Sequence, residues 1–331
     1  MQELFGQENH KIFSTRDIGF EARAQEIFQF QLKNNAVYGA FVKALGTDTS
    51  RVDSITRIPF LPVRFFKSLE VKTGEFEPEA VFESSGTTGM ISSRHLVKDL
   101  SLYRESFTRG FELFYGPASE YCIIGLLPSY LERENSSLVL MVDDLIRQSG
   151  HPQSGFYLNE FDKLAAVLRE LESREQKTLL IGVSFALLDF AEQYPIPLKH
   201  TIIMETGGMK GRRKELIRPE LHAVLKAAFS VPVIHSEYGM TELLSQAYSK
   251  GDGIYHCPPW MKILLRDDED PLRVITSGSG VVNVIDLANI HSCSFIATDD
   301  AGKVYPDGSF EILGRVDGSD MRGCSLLVVS Q

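Results

Sequence analysis

Ala80-Val81-Phe82-Glu83-Ser84-Ser85-Gly86-Thr87-Thr88-Gly89 is the stretch on which the reading of the fold turns. A strand-forming run gives way to two glycines set among serines and threonines. Such a segment makes a poor helix and a poor strand. It makes a good anion cradle, because glycine lets backbone N–H groups approach a phosphate and the hydroxyls add donors. No Gly-Lys-Ser/Thr comes after it, so it is not a Walker loop. A Ser/Thr/Gly loop also serves as an ordinary turn. Its weight comes from three further motifs downstream in the chain.

Two of them are polar, glycine-bearing turns placed after strand-like runs. Glu205-Thr206-Gly207-Gly208 comes directly after Thr201–Met204. Ser236-Glu237-Tyr238-Gly239-Met240-Thr241-Glu242 comes directly after Val231–His235. In open α/β sheets, ligands bind at the carboxyl ends of strands. The residue types suit a nucleotide. Tyr238 offers a face for a base, and Gly207 and Gly208 let backbone lie close to a flat ring. Thr241 can hydrogen-bond a phosphate, and Glu242 can hold a hard cation such as Mg²⁺. The plainer alternative buries Tyr238 in the core and makes Glu242 an acid facing a helix dipole. The last motif is Thr298-Asp299-Asp300-Ala301-Gly302, with Asp307-Gly308 and Leu313-Gly314-Arg315-Val316-Asp317 after it. Asp300 can accept from ribose hydroxyls, and Arg315 can contact ribose or phosphate. Turn chemistry is the alternative, and Asp307-Gly308 reads as a hairpin turn.

Around these motifs the pattern alternates. Residues 1–60 read as mostly helical, with apolar stripes over Phe20–Leu32 and over Ala36–Leu45 before Gly46. Ile58–Phe66 holds two prolines and reads as an apolar loop or edge segment. Residues 61–252 alternate helix and strand, which predicts an α/β fold with much parallel sheet. Residues 253–317 break into short strand-like runs and predict a β-rich subdomain, and 318–331 form a tail. Of 331 residues, 43% are hydrophobic and 24% charged, as in an ordinary globular protein. A net charge of −10 argues against a general nucleic-acid or anionic-membrane binder. No apolar run is long enough for a membrane span, and the first residues lack the regions of a signal peptide. The expected location is the cytoplasm, where the four cysteines stay reduced.

The ordered array of Ser-Ser-Gly-Thr-Thr-Gly, Tyr-Gly-Met-Thr-Glu, Thr-x-Asp and Leu-Gly-Arg-x-Asp resembles the adenylate-forming superfamily. Within it the chain is most similar to the acyl-protein synthetase (LuxE) family of bacterial bioluminescence operons. Ile58–Lys67, Glu83–Gly89 with Ser93-Arg94-His95, Leu127–Ser136, Glu205–Gly211 and Arg322-Gly323-Cys324 carry the closer likeness. The resemblance implies the large α/β domain of such enzymes, with layered sheets and a smaller β subdomain. It also implies ATP-dependent activation of a carboxylic acid, fatty in this family, to an acyl-adenylate, then acyl transfer to a cysteine near the C-terminus. A partner acyl-protein reductase would receive the product. By the same resemblance, Ser85, Gly86, Thr87, Thr88 and Gly89 cradle phosphates. Gly207, Gly208, Tyr238 and Gly239 lie at the adenine, and Thr241 and Glu242 at the α-phosphate and Mg²⁺. Asp300 and Arg315 hold ribose, and Cys324 is the acylated nucleophile.

Two departures stand out. The superfamily's lysine after the phosphate loop is replaced in Met90–His95, where Arg94 is the available charge; its planar fork differs from a lysine. The sequence ends soon after Asp317, the hinge position, so the usual mobile C-terminal domain with its catalytic lysine is expected to be lacking. Lys210 or Arg212 would have to stand in. Arg322 beside Cys324 favours the thiolate. An extended tail from Asp317 reaches about 23–25 Å, enough to bring the thiol to an acyl-adenylate. Two other readings remain: a CoA ligase with free CoA as acceptor, and a weakly active nucleotide-binding subunit of a fatty-acid reductase complex.

Overall fold

The computed structural model describes residues 12–13, 19–84, 92–128, 135–158, 160–207, 216–267 and 269–316. The chain divides into two units: Met1–Phe76 with Pro259–Gln331, and Glu77–Pro258. The sequence reading sets boundaries at 60 and 252; in the structure the N-terminal helices share one unit with the strands after Pro259.

The first unit begins with α1 (Gly19–Asn34) and α2 (Ala36–Ala44). Asn35 caps α2 by accepting from the Tyr38 N–H at 2.9 Å, which satisfies a donor the helix itself cannot pair. Next come a two-residue strand β1 (Leu61–Pro62) and a single turn, α3 (Phe65–Ser68). The Ile58–Phe66 segment is therefore an edge strand and then a helical turn.

The second unit holds the hairpin β2 (Ala80–Glu83) and β3 (Arg94–Val97), then α4 (Leu100–Tyr115), β4 (Cys122–Leu126) and α5 (Ser137–Ser149). It continues with β5 (Gly155–Phe156), α6 (Phe161–Ser173), β6 (Thr178–Val183), α7 (Ser184–Gln193), β7 (Thr201–Thr206) and α8 (Arg218–Phe229). It ends with β8 (His235–Tyr238), β9 (Ala247–Ser249) and β10 (Tyr255–His256). Its sheet runs β10-β9-β8-β7-β6-β4-β5, parallel from β8 to β5 and antiparallel across β8, β9 and β10. Every residue of β4 and β6 is buried, as expected of parallel strands covered on both faces.

Two strand boundaries differ from the sequence reading. Val231–Ile234 is not a strand; Pro232 removes a backbone donor there, and pairing starts at His235. Ser236, Glu237 and Tyr238 are thus strand residues rather than loop. Likewise β7 extends through Glu205 and Thr206.

The chain then returns to the first unit with β11 (Met261–Arg266), β12 (Val274–Ile275), β13 (Gly278–Asp286), β14 (Phe295–Val304) and β15 (Phe310–Arg315). Their antiparallel order is β12-β11-β13-β14-β15, with β1 parallel to β14. Residues 298–302 therefore lie inside β14, where the register shifts between Ala301 and Gly302, rather than in a turn. Asp307-Gly308 does make the β14–β15 hairpin turn, with Asp307 Oδ1 accepting from Ser309 N at 3.0 Å. The N-terminal helices belong to this unit because of what they bury. Phe28, Tyr38 and Phe60 pack around Phe295 with ring centroids 6.0–6.3 Å from it. The fully buried Gln31 amide donates to the Asn289 and Ile290 carbonyls at 3.1 and 3.0 Å and accepts from Ser294 N at 2.9 Å.

Candidate active site

In the second unit, three parallel strands end side by side in polar chemistry. β6 ends at Val183, and Ser184 opens α7. β7 ends at Thr206, and the next residue, Gly207, lies in the left-handed region at φ 66°, where glycine carries no steric cost. β8 ends at Tyr238, with Gly239 next. A Cβ on Gly239 would stand 2.5 Å from Glu237 Oε1, so any larger residue here would have to push that carboxylate aside.

Two buried carboxylates mark these ends. Glu205 is 4% exposed and sits beside Arg218 Nε at 3.3 Å and His222 Nε2 at 3.6 Å, both from α8. Burial pushes its carboxyl up. Contact with His222, the charge of Arg218 and the neighbouring Ser236 outweigh that, and its pKa falls below the ordinary value. The Ser184 hydroxyl donates to the Gly207 carbonyl at 2.9 Å, with Glu205 Oε2 at 3.3 Å. Glu205 is thereby tied to the turn after its own strand. Glu237 is 7% exposed and accepts from the Thr206 hydroxyl. Burial and the charge of Glu205 outweigh that bond and raise it to about 7.

The candidate residues of the sequence take these places. Tyr238 is 9% exposed, and its ring packs edge-on to Tyr255 at 6.1 Å; it lies in the core of β8, not on an open loop. Thr241 and Glu242 are the central residues of a turn closed by Leu243 N to Met240 O at 3.0 Å. Glu242 is buried and Thr241 half-buried. Arg94 lies in β3, 52% exposed, 3.9 Å from Glu83, its register partner on β2. In the first unit, Asp300 and Arg315 are register partners across β14 and β15, with Arg315 Nε 3.7 Å from Asp300 Oδ1. The structure therefore brings these two together. Ser85, Gly86, Thr87, Thr88, Gly89, Gly208, Lys210, Arg212, Arg322 and Cys324 lie outside the described residues.

Four further residues brace these groups, and the sequence reading gave none of them a role. Arg218 and His222 flank Glu205. His95 reaches the Thr241 carbonyl. In the first unit, Arg266 is held by the carbonyls of Val282 and Thr298 and by Asn283 Oδ1, and so braces the strand leading to Asp300. One sequence signal does point to the acids: Glu205 and Glu237 each stand at the end of a strand, two residues before a glycine.

Among the described residues, no group of three His, Cys, Asp or Glu side chains can hold a metal ion. A single carboxylate ligand, the part proposed for Glu242, suits a cation that takes the rest of its ligands from phosphate oxygens and water, as Mg²⁺ does. No helix of the described residues is long and apolar enough to cross a membrane.

Residues 16–331 match the acyl-protein synthetase family, LuxE. The chain belongs to that family. A long-chain-fatty-acid–luciferin-component ligase from Vibrio harveyi is 23% identical to it over 322 residues, covering 90% of this chain and 84% of that protein. Among solved structures, ATP-bound MatB from Rhodopseudomonas palustris superposes with a TM-score of 0.54 at 19% identity, over 71% of this chain and 48% of MatB. A 2-hydroxyisobutyryl-CoA ligase, in complex with R3-HIB-AMP, superposes with a TM-score of 0.62 at 12% identity, over 92% of this chain and 68% of that one. The LuxE-family chain thus has the α/β fold of adenylate-forming enzyme domains, and it spans about half the length of MatB.

Proposed function

We propose that this LuxE-family protein activates a long-chain carboxylic acid with ATP and transfers the acyl group to Cys324. The carboxylate oxygen attacks the α-phosphorus and pyrophosphate leaves. The Cys324 thiolate then attacks the acyl carbonyl, a thioester forms and AMP leaves. The observation that carries this reading is the family match, which runs from residue 16 to 331 and includes both strand-end motifs and Cys324. The Vibrio harveyi relative, whose name pairs a long-chain fatty acid with a luciferin component, supports the substrate class; an acyl-protein reductase is the proposed partner.

Residues 85–89 would grip the phosphates. Gly207, Gly208, Tyr238 and Gly239 would line the adenine, and Asp300 and Arg315 would hold the ribose. Thr241 would meet the α-phosphate. Mg²⁺ on Glu242 would offset charge on the phosphates. Two described cysteines are poor acceptors, which favours Cys324. Burial raises Cys122 to about 11 against a hydrogen bond from Ser154, and raises Cys293 to about 12. Both stay thiols at neutral pH. The cytoplasm, which keeps such thiols reduced, is the proposed compartment.

Incubation with ATP, Mg²⁺ and a panel of acids tests this reading. It should give acid-dependent pyrophosphate release and an acyl mass increment on the protein, and Cys324→Ser should lose the increment. Pyrophosphate release only in the presence of CoA would make free CoA the acceptor instead. No release across the panel would reject acid activation altogether.

A further inference from the structure

The Met240–Leu243 turn carries both side chains assigned to phosphate and cation, and its own bond secures only the Met240 carbonyl. The next carbonyl, that of Thr241, is met by His95 Nδ1 at 2.9 Å. A carbonyl can only accept, so Nδ1 carries the hydrogen. The ring has little freedom to turn. It is 1% exposed, stands opposite Phe82 in the β2–β3 register and lies edge-on to the Phe82 ring at 6.4 Å. Phe82 in turn packs on Tyr103 of α4 at 5.3 Å. The hairpin is also tied where its two strands part: Ser84 N donates to Ser93 O at 3.0 Å, and Ser93 N to Ser84 Oγ at 2.8 Å. His95 is thus a fixed post on one rigid element, and the backbone between Thr241 and Glu242 hangs on it.

We propose that His95 is a positioning residue that sets the Thr241–Glu242 turn for phosphate and Mg²⁺ through its Nδ1 bond to the Thr241 carbonyl. This rests on the proposed nucleotide site. Displacing a positioned group by about 1 Å can cost on the order of 100-fold in rate, so a single backbone anchor is enough to matter. The side-chain nitrogen of asparagine lies near the Nδ1 position and that of glutamine near Nε2. The two amides therefore separate the proposed bond from mere filling of space.

The test measures ATP binding by calorimetry, without acid, with and without Mg²⁺, on wild type, His95→Asn and His95→Gln. Thermal melting of each runs alongside. Mg²⁺ should tighten ATP binding in wild type and in His95→Asn. In His95→Gln that Mg²⁺-dependent gain should be largely lost. In the nucleotide-free protein, the ¹⁵N spectrum of His95 should show a protonated Nδ1. Glutamine behaving as wild type, or asparagine failing as glutamine does at equal melting temperature, overturns the proposal while leaving the ATP reading intact. A wild type that binds no ATP overturns both.

Discussion

Glu205 and Glu237 occupy corresponding places at the ends of neighbouring parallel strands, each two residues before a glycine, and both are buried. Yet they hold their protons in opposite ways. In the β7–β8 register, Glu205 faces Ser236 and Thr206 faces Glu237, so the two carboxylates project from opposite sides of the sheet. On one side, α8 supplies Arg218 and His222, and Glu205 stays ionised. On the other, Glu237 finds a threonine hydroxyl and the tyrosines Tyr115 and Tyr248, and among the described residues no cation offsets its burial. Burial costs both carboxylates alike; the partner each strand face provides decides whether the charge survives. A fixed anion beside the Gly207 turn and an acid that titrates near neutral pH beside Gly239 give two adjacent strand ends different electrostatic characters.

The largest effect should come from removing the cation. Arg218→Ala leaves Glu205 buried with His222 and the Ser184 and Ser236 hydroxyls beside it but without its permanent cation. Stripping one partner from a buried pair costs about 3 kcal/mol, so urea unfolding should show a loss of that size and the Glu205 carboxyl should rise. An unchanged midpoint would mean that His222 and the hydroxyls sustain the charge, and the contrast between the two faces would weaken.

A smaller effect, with a definite sign, is expected at Glu237. Its folded value of about 7 lies above the ordinary 4.5, so the folded state holds the proton more tightly than the unfolded chain. The resulting stabilisation is complete below pH 4.5 and is lost as pH rises through 7. Glu237→Gln is permanently neutral and still accepts from Thr206. Between about pH 5 and pH 8 the wild type should therefore lose more melting temperature than the variant. Parallel curves would show that Glu237 is ionised throughout.

Such differences were only partly legible in the sequence. β4 and β6 are continuous apolar runs, so their existence and burial follow from composition alone. The start of β8 was obscured because Val231-Pro-Val-Ile looks like a strand until the missing proline donor is counted. Glu205 and Glu237 sit in the strand-end motifs, but carboxylates are so rarely buried that nothing marked them as core. Their state depends on α8 and on Thr206, which sequence patterns do not place. The joining of the N-terminal helices to β14 was invisible for a similar reason. The Gln31 bonds that record it cross more than 250 positions, whereas periodicity reports only local neighbours. Asp300 and Arg315, both read as ribose contacts, stand opposite each other because Asp307-Gly308 fixes the hairpin turn between their strands.

The smallest stability effect belongs to Arg94, and it sharpens the comparison by contrast. Its partner Glu83 is 3.9 Å away, and both side chains are about half exposed. An exposed pair of this kind contributes about 0–1 kcal/mol, so Arg94→Ala should melt close to wild type. If Arg94 supplies the charge that the superfamily takes from a lysine, the same variant should weaken ATP binding at low ionic strength. Salt screens exposed charges, so that gap should narrow as salt is added. Equal ATP affinity at low salt would remove Arg94 from the nucleotide site. The stand-in for the lysine would then have to be sought elsewhere in the chain, and Arg94 would be a solvated strand residue, unlike Arg218, whose charge the buried Glu205 holds in place.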